Sequence, residues 1–198
     1  MANLVDRHES EGLAVIGLSF HVDYWNYLGW SDPFSSAKWS RRQRQYASVL
    51  DDRVYTPQML INGQDGFVGS HQSKLDARLP KHLRQQPEHS IKLETDLDSS
   101  GQVRVSYEVE GLGEGKLINI AVVSRSLTAK ATRGENRGRT LMHANVVRDF
   151  ANRKLNDLKG EIQFKAPTET DTKHSVVAYV QNVRGAEITG SKEKSLST

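Results

Sequence analysis

The pattern of apolar and polar positions changes near residue 87, and the first part reads as alternating strands and helices. Residues 13–20, LAVIGLSF, are almost continuously apolar, which is typical of a strand buried on both faces in a parallel sheet. Ser35 or Ser36 can then cap a helix that runs to about Leu50. Residues 54–63, VYTPQMLING, predict a second buried strand that ends at a glycine turn.

A hairpin and a second helix are predicted next. Phe67 and Val68 are expected to pair back onto the second strand. Ser70 or Ser73 can cap the helix, and Pro80 is expected to kink or divide it. The apolar face of this helix is made by Leu75, Leu79 and Leu83. This order of elements predicts a small α/β domain over residues 1–87.

Beyond residue 87 the apolar positions alternate with polar ones, as in strands with one buried face. Residues 90–97 and 102–110 flank a turn of the sequence DSSG, which predicts a hairpin. Further strands are predicted at residues 116–124, 139–147, 161–166 and 174–183. Such a series indicates an antiparallel β-sandwich over residues 88–190, with a flexible polar tail over 191–198. The fold class expected for the chain is therefore α+β.

Composition indicates how many cores the chain can form and which classes of partner to expect. Its 198 residues carry 27 Lys and Arg against 24 Asp and Glu, a net charge of +3, with 36% apolar residues and a mean hydropathy of -0.60. A modest apolar content fits two small cores better than one large one. The densest basic run, residues 41–44 (RRQR), reads as a solvated helix face, and we expect no nucleic-acid partner.

The chain contains no cysteine, so it has no disulfide, no thiolate metal site and no thiol nucleophile. No apolar run approaches the ~18 residues that span a membrane, and residues 1–12 lack the apolar core of a signal peptide. They read as the last turns of an amphipathic helix that stops at Gly12. We expect no cofactor.

Six aromatic residues crowd residues 20–34, FHVDYWNYLGWSDPF. Alternation along an extended strand puts His21 and Asp23 on one side. Asp23 could fix the tautomer of His21 or serve proton transfer; alternatively, Asp23 caps the loop and His21 is a hydrogen-bonded residue at the edge of the core. Asp32 with the proline after it is expected to turn the loop. Three of the aromatic residues either line a substrate groove or pack onto the second domain: Trp25, Tyr27 and Trp30.

Pro57 opens a strand that otherwise reads as buried. Because proline cannot donate to a ladder, it belongs at the start or edge of a strand. Spacing alone favours a trans peptide bond at Thr56-Pro57, although this setting also suits a cis bond.

The segment GENRGRTLMHANVVR, residues 134–148, is the other distinctive stretch. His143 and Asn145 share one face of its strand, which is expected to meet the first domain; the alternative is an ordinary sandwich strand with one polar face. A metal site is not predicted, because His21 with Asp23 supplies at most two ligands and a site usually needs three or four.

The stretches GLSFHVDYWNYLGWSDPF, RQRQYA, VYTPQMLING and GENRGRTLMHANVVR together resemble a bacterial family of mostly exported, thioredoxin-like proteins. That family is known only as domain of unknown function number twelve twenty-three. The resemblance covers nearly the whole chain. It implies a thioredoxin-like fold in which the Thr56-Pro57 pair lies against a redox-active Cys-x-x-Cys, and a cis bond at Pro57. It also implies a periplasmic or secreted location.

The resemblance has one departure, at the start of the chain. Family members typically begin with a signal sequence, a strand and a Cys-x-x-Cys, whereas this chain begins near the end of the helix that follows. We therefore expect an N-terminally truncated thioredoxin-like domain, whose missing strand would lie between residues 15–20 and 58–61. That gap would leave unpaired strand edges. Direct pairing of the two flanking strands, a partner chain or a second copy could close it.

Two functions follow from the resemblance. In the first, the intact protein is a thiol–disulfide oxidoreductase, while this cysteine-free chain holds no catalytic residue itself. In the second, the chain is a non-catalytic module that binds a protein through its aromatic edge and its sandwich. Either function implies a protein partner. The residues expected at the active-site edge are His21, Asp23, Tyr24, Trp25, Thr56 and Pro57.

Overall fold

The computed structural model describes residues 15–196, and within that range the protein is α+β and mostly β. Residues 15–196 form two α-helices and nine strands in three antiparallel sheets. The helices are α1 (Ala37–Val49) and α2 (Gln72–Leu83). The strands are β1 (Gln58–Ile61), β2 (Asp65–Val68), β3 (Ser90–Leu97), β4 (Gln102–Glu110), β5 (Lys116–Lys130), β6 (Thr140–Lys154), β7 (Lys159–Lys165), β8 (His174–Asn182) and β9 (Ile188–Ser195).

The first helix and the first hairpin form as their sequence predicts. The Ser36 hydroxyl caps α1 by accepting a hydrogen bond from the Lys38 N–H at 3.2 Å. Strands β1 and β2 pair around a tight turn at Asn62 and Gly63, both at positive φ. The hairpin packs on α2 through a small apolar core of Ile61, Phe67, Leu75 and Leu79.

The second half of the chain forms two sheets, with strand orders β3-β4-β7 and β6-β5-β8-β9. Their inward faces share one apolar core, to which β3, β4, β5, β7 and β8 all contribute. This is the outcome that strict alternation favours, because every second residue of a strand points to the same face. Val103, Val105, Ile118 and Ile120 of this core are fully buried.

The strand expected over residues 13–20 does not form in the part that the structure describes, and Leu13 lies outside that part. Residues 15–20 are extended, with a single parallel bridge from Ser19 to Val146 of β6. Their apolar side chains pack between α1 and the four-stranded sheet. The continuous apolar run therefore reflects partial burial against the sheet and α1, which does not by itself require a ladder.

Other expectations are corrected at the ends of elements. His71 occupies the N-cap of α2 without a side-chain hydrogen bond, so neither Ser70 nor Ser73 caps this helix. The helix continues through Pro80 to Leu83, because proline close to a C-terminus removes only one late hydrogen bond. The region expected to be a flexible tail is largely strand β9, which pairs with β8 from Ile188 to Ser195; Ser197 and Thr198 lie outside the described residues.

The expected domain boundary falls between α2 and β3, and the division into two domains stays a prediction. The helix predicted to end at Gly12 lies outside the described residues. In the described part, no helix has both the length and the apolar character needed to cross a membrane.

Candidate functional site

A cleft of ≈ 1380 Å³ lies where the extended segment, the first hairpin and the four-stranded sheet meet. Its walls include residues 15–22 on one side and 56–63 on the other. Both helices contribute to the lining, as do residues 85–91, 133–136 and 187–192. The cleft thus separates the two segments that the sequence predicted to flank a missing strand.

One wall of the cleft presents a backbone edge at Leu18 and Phe20. Ser19 donates its N–H to the Asn145 oxygen at 2.8 Å and accepts from the Val147 N–H at 3.0 Å. Because hydrogen-bonding groups alternate along an extended chain, the groups of Leu18 and Phe20 point away from β6. In the described part of the chain, neither residue has a backbone hydrogen bond.

The opposite wall presents a second edge, on β1. The Gly69 N–H donates to the Pro57 oxygen at 2.8 Å, which places Pro57 in a hydrogen-bonded pair with β2. By alternation, the N–H and C=O groups of Gln58 and Leu60 point away from β2. The next group in this series, the Asn62 oxygen, accepts from the Ile188 N–H at 2.9 Å, which confirms the direction.

His21 lines the cleft and pairs with Asp32. Its Nδ1 lies 2.6 Å from Asp32 Oδ2, and the His21 side chain is 13% exposed. The Asp32 carboxylate also accepts from the Phe34 N–H at 2.9 Å. Burial alone would raise the pKa of Asp32, but these two hydrogen bonds and the nearby imidazoles outweigh burial and hold that pKa below its ordinary value. Asp32 is therefore the carboxylate that orients His21.

His143 of β6 packs against this pair. Its ring lies 4.8 Å from the His21 ring and 5.5 Å from the Phe34 ring, centroid to centroid. Its Nε2 is buried without a hydrogen-bond partner in the described part of the chain. Burial lowers the pKa of His143, the neighbouring His21 lowers it further, and Asp32 only partly opposes the effect. His143 is thus held neutral beside the His21–Asp32 pair.

Asp23 and Tyr24 hydrogen-bond to side chains of α1. Asp23 accepts from the Ser40 hydroxyl, and its own N–H donates to that hydroxyl oxygen at 3.1 Å. The Tyr24 hydroxyl donates to Gln43 Oε1 at 2.9 Å. Both residues therefore fasten the aromatic loop to α1, and Asp23 does not fix the His21 tautomer.

The aromatic loop reaches across the cleft at Trp25. Its indole Nε1–H donates to the Thr56 hydroxyl at 2.8 Å, next to Pro57, whose peptide bond with Thr56 is cis. Trp25 and Trp30 line the cleft, whereas Tyr27 is 75% exposed and lies outside it. His21, Trp25, Thr56 and Pro57 thus share one cleft, and Asp23 and Tyr24 do not line it.

Arg42 is not part of a solvated helix face, as the basic run suggested. Its guanidinium lies 4.4 Å from the Phe150 ring and 5.2 Å from the Phe20 ring, and it donates to the Tyr179 hydroxyl. Burial raises the pKa of Tyr179, so the hydroxyl stays protonated. Stacking on aromatic faces suits the planar guanidinium, and it fixes α1 to the four-stranded sheet.

Two more imidazoles lie in the wall of the cleft near α2 and β9. His82 Nε2 lies 2.6 Å from Asp65 Oδ2, and this hydrogen bond is the main reason that the pKa of Asp65 is lowered. His89 Nε2 lies 2.8 Å from the Leu112 oxygen. In both rings Nδ1 is buried without a partner in the described part of the chain. A carboxylate and a carbonyl oxygen can only accept, so Nε2 donates in each ring.

Residues 15–196 contain no group of three His, Asp or Glu side chains that could hold a metal ion. Asn145, expected beside His143, is buried at positive φ and meets Ser19 through its backbone oxygen. Its strand therefore contacts the first half of the chain at both residues.

The profile of a protein family matches residues 1–181. The chain belongs to the family DUF1223, described as a protein of unknown function. Among curated proteins, none matches this chain.

One solved structure shares the DUF1223 chain's fold. A crystal structure of a protein from Agrobacterium tumefaciens is 24% identical, with a TM-score of 0.63 over 100% of this chain and 89% of that one. A domain of the outer membrane lipoprotein Omp28 from Porphyromonas gingivalis is 11% identical over 56% of this chain and 96% of that one, with a TM-score of 0.34.

Sequence reasoning on this DUF1223 chain missed Asp32 as the partner of His21. Alternation pointed to Asp23, two residues away, but the chain turns after Val22 into a loop with a short 3-10 turn at Asn26–Leu28. The loop returns Asp32 to the imidazole. The Asp-Pro pair at residue 32 does predict a turn, but a predicted turn does not identify the hydrogen-bond partner of the carboxylate.

Proposed function

We propose that this chain binds an extended segment of polypeptide in the cleft between residues 15–22 and 56–63. The observation that carries the proposal is the pair of backbone edges, at Leu18 and Phe20 and at Gln58 and Leu60, that line one cleft. Unpaired N–H and C=O groups in a row are the template to which a strand adds.

The walls of the cleft indicate what kind of segment would fit. Ile16, Leu18 and Phe20 pack on the aromatic cluster of the four-stranded sheet. Met59 and Ile61 pack with the apolar face of α2. A strand inserted between them would meet apolar side chains on both walls, so its own side chains should be apolar, as in a strand of a buried parallel sheet.

A synthetic peptide tests the proposal. The probe is acetyl-Lys-Val-Ile-Val-Val-Ile-Lys-amide, whose apolar β-branched core favours the extended state and whose lysines keep it soluble. Tryptophan fluorescence reports binding, since Trp25, Trp30 and Trp39 line the cleft. We expect saturable binding of the probe and none of a peptide with proline at every second core position.

A substitution at Leu60 separates backbone pairing from apolar contact. Leu60→Pro removes an N–H that points away from β2 and so spares the β1–β2 ladder, while Leu60→Val keeps that N–H. Leu60→Pro should weaken the probe about fivefold relative to Leu60→Val, the loss of one hydrogen bond of ~1 kcal/mol. Equal affinity of the two variants would show that the edge of β1 does not pair with the ligand.

A second candidate function is thiol–disulfide exchange by a longer form of the protein. Its support is the thioredoxin-like resemblance and the presence of Thr56, Pro57 and His21 in the same cleft. This chain has no sulfur nucleophile, so the cysteines would come from an upstream segment of the same gene. The coding sequence upstream of Met1 tests this candidate function. A Cys-x-x-Cys whose cysteines are needed for disulfide reduction would support it, and an in-frame stop without cysteines would refute it.

An exported location, periplasmic or secreted, is proposed on the resemblance alone. Fractionation of cells expressing the full gene tests it, and a cytoplasmic signal would contradict it. Pairing of two copies through the same edges is a further way to fill the cleft. It would appear as a dimer in sedimentation that the probe peptide dissociates.

A further inference from the structure

We propose that His21 accepts the proton of a cysteine thiol carried by the polypeptide segment bound in the cleft. The inference rests on the proposed function, because the segment brings the thiol. Asp32 acts as the residue that orients and pairs with the imidazole, and His143 acts as a positioning residue beside it.

The His21 ring has one nitrogen occupied and one free. Nδ1 donates to Asp32 Oδ2 at 2.6 Å, and the described part of the chain provides no hydrogen bond for Nε2. With the proton on Nδ1, Nε2 presents its lone pair. His21 is one of the residues that line the cleft, so its Nε2 belongs to the wall that would contact the bound segment.

The ring is held in place from two directions. Phe34 and His143 both make edge-on contacts with it, at 5.9 Å and 4.8 Å between centroids. Asp32 is fixed in turn by the Phe34 N–H, while its own N–H donates to Asn26 Oδ1 at 3.2 Å. An imidazole whose tautomer and orientation are set by a carboxylate is the usual arrangement of a general base.

The chemistry of proton transfer selects the thiol. A cysteine thiol has an ordinary pKa of about 8.5, close to that of imidazole at about 6.5, whereas an aliphatic hydroxyl is a far weaker acid. The gap of about two pKa units is small enough for ion pairing between thiolate and imidazolium to offset, so an imidazole in the cleft can take the thiol proton. In the step, the S–H bond breaks, an Nε2–H bond forms and the electron pair stays on sulfur. The new imidazolium is paired with the Asp32 carboxylate, and no oxidant or reductant takes part.

The reactivity of a cysteine probe measures the transfer. The probe is acetyl-Lys-Val-Ile-Cys-Val-Ile-Lys-amide, and its alkylation by iodoacetamide near pH 7 reports the thiolate fraction. The chain has no cysteine of its own, so every alkylated thiol belongs to the probe. We expect saturating protein to raise the alkylation rate about tenfold, as a thiol pKa lowered by about one would do.

Variants test whether His21 causes the increase in alkylation rate. His21→Gln should abolish the rate increase when rates are compared at protein concentrations that saturate the probe, with occupancy measured by tryptophan fluorescence. His71→Gln is the matched control, because His71 is exposed and does not line the cleft. If His21→Gln binds the probe and still accelerates alkylation, the proposal is wrong and the binding function stands.

A measurement on the free protein distinguishes failure of the proton-transfer proposal from failure of the proposed binding function. Nitrogen-15 spectra of the free protein should show His21 with its proton on Nδ1, and Asp32→Asn should shift that tautomer. A proton found on Nε2 of neutral His21 would overturn the proposal whatever the probe does. If the probe does not bind at all, both the proposed function and the thiol substrate are refuted. The tautomer measurement then still tests whether Asp32 orients His21.

Discussion

Phe150 is the side chain through which β6 holds the extended segment and α1, so its truncation is the most informative test of the scaffold around the cleft. It is 6% exposed, and its ring lies 5.9 Å from Phe20, 6.1 Å from Trp39 and 6.5 Å from Tyr179, with the Arg42 guanidinium 4.4 Å away. A buried Phe→Ala change costs ~3–5 kcal/mol, and each aromatic pair is worth ~0.5–1.5 kcal/mol beyond its buried area. We expect Phe150→Ala to cost about 4–5 kcal/mol.

Urea unfolding followed by circular dichroism measures this cost as a change in the free energy of unfolding. Met142→Ala is the matched control on the same strand, because Met142 is 81% exposed and surface changes stay within ~0.5 kcal/mol. Hydrogen exchange should also speed up in α1 more than in β4. A cost for Phe150→Ala below about 1 kcal/mol would refute the reasoning that this cluster anchors the cleft wall.

Two further predictions concern histidines and close packing. The pKa of His143 is lowered in the fold, so the unfolded chain binds its proton more readily and stability should fall as pH drops below about 6.5. Because His21 and Asp32 face that ring, His143→Gln should reduce the loss of melting temperature between about pH 7.5 and 5.5, and an unchanged loss would contradict this. A Cβ on Gly190 would lie 2.3 Å from the His89 backbone oxygen, so Gly190→Ala should cost at least ~1–3 kcal/mol in urea unfolding; a neutral substitution would refute the close approach.

The antiparallel part of the fold was predictable because alternation has a single structural meaning. Residues 90–97 and 102–110 alternate cleanly, and β3 and β4 have these bounds. Strand β9 was missed because the residues after Gly190, SKEKS, are small or charged. A polar edge strand and a frayed tail have the same composition, and only pairing with β8 distinguishes them.

The candidate site was predictable in its location and not in its partners. The aromatic loop and the Thr-Pro pair were expected at one edge, and His21, Trp25 and Thr56 do line one cleft. Hydrogen bonds such as that between His21 and Asp32 join residues eleven positions apart in the sequence, and short-range patterns do not determine how the loop between them closes. The sequence motifs identified the family DUF1223, but they do not determine its function.

Amide hydrogen exchange with and without the probe peptide tests the central claim most directly. The account predicts that saturating probe slows exchange at Phe20 and Leu60, whose N–H groups point away from their existing partners. The amide of Ser19, already bonded to β6, serves as the internal reference and should change little. Protection confined to the outer strands, or none at either edge of the cleft, would contradict the account.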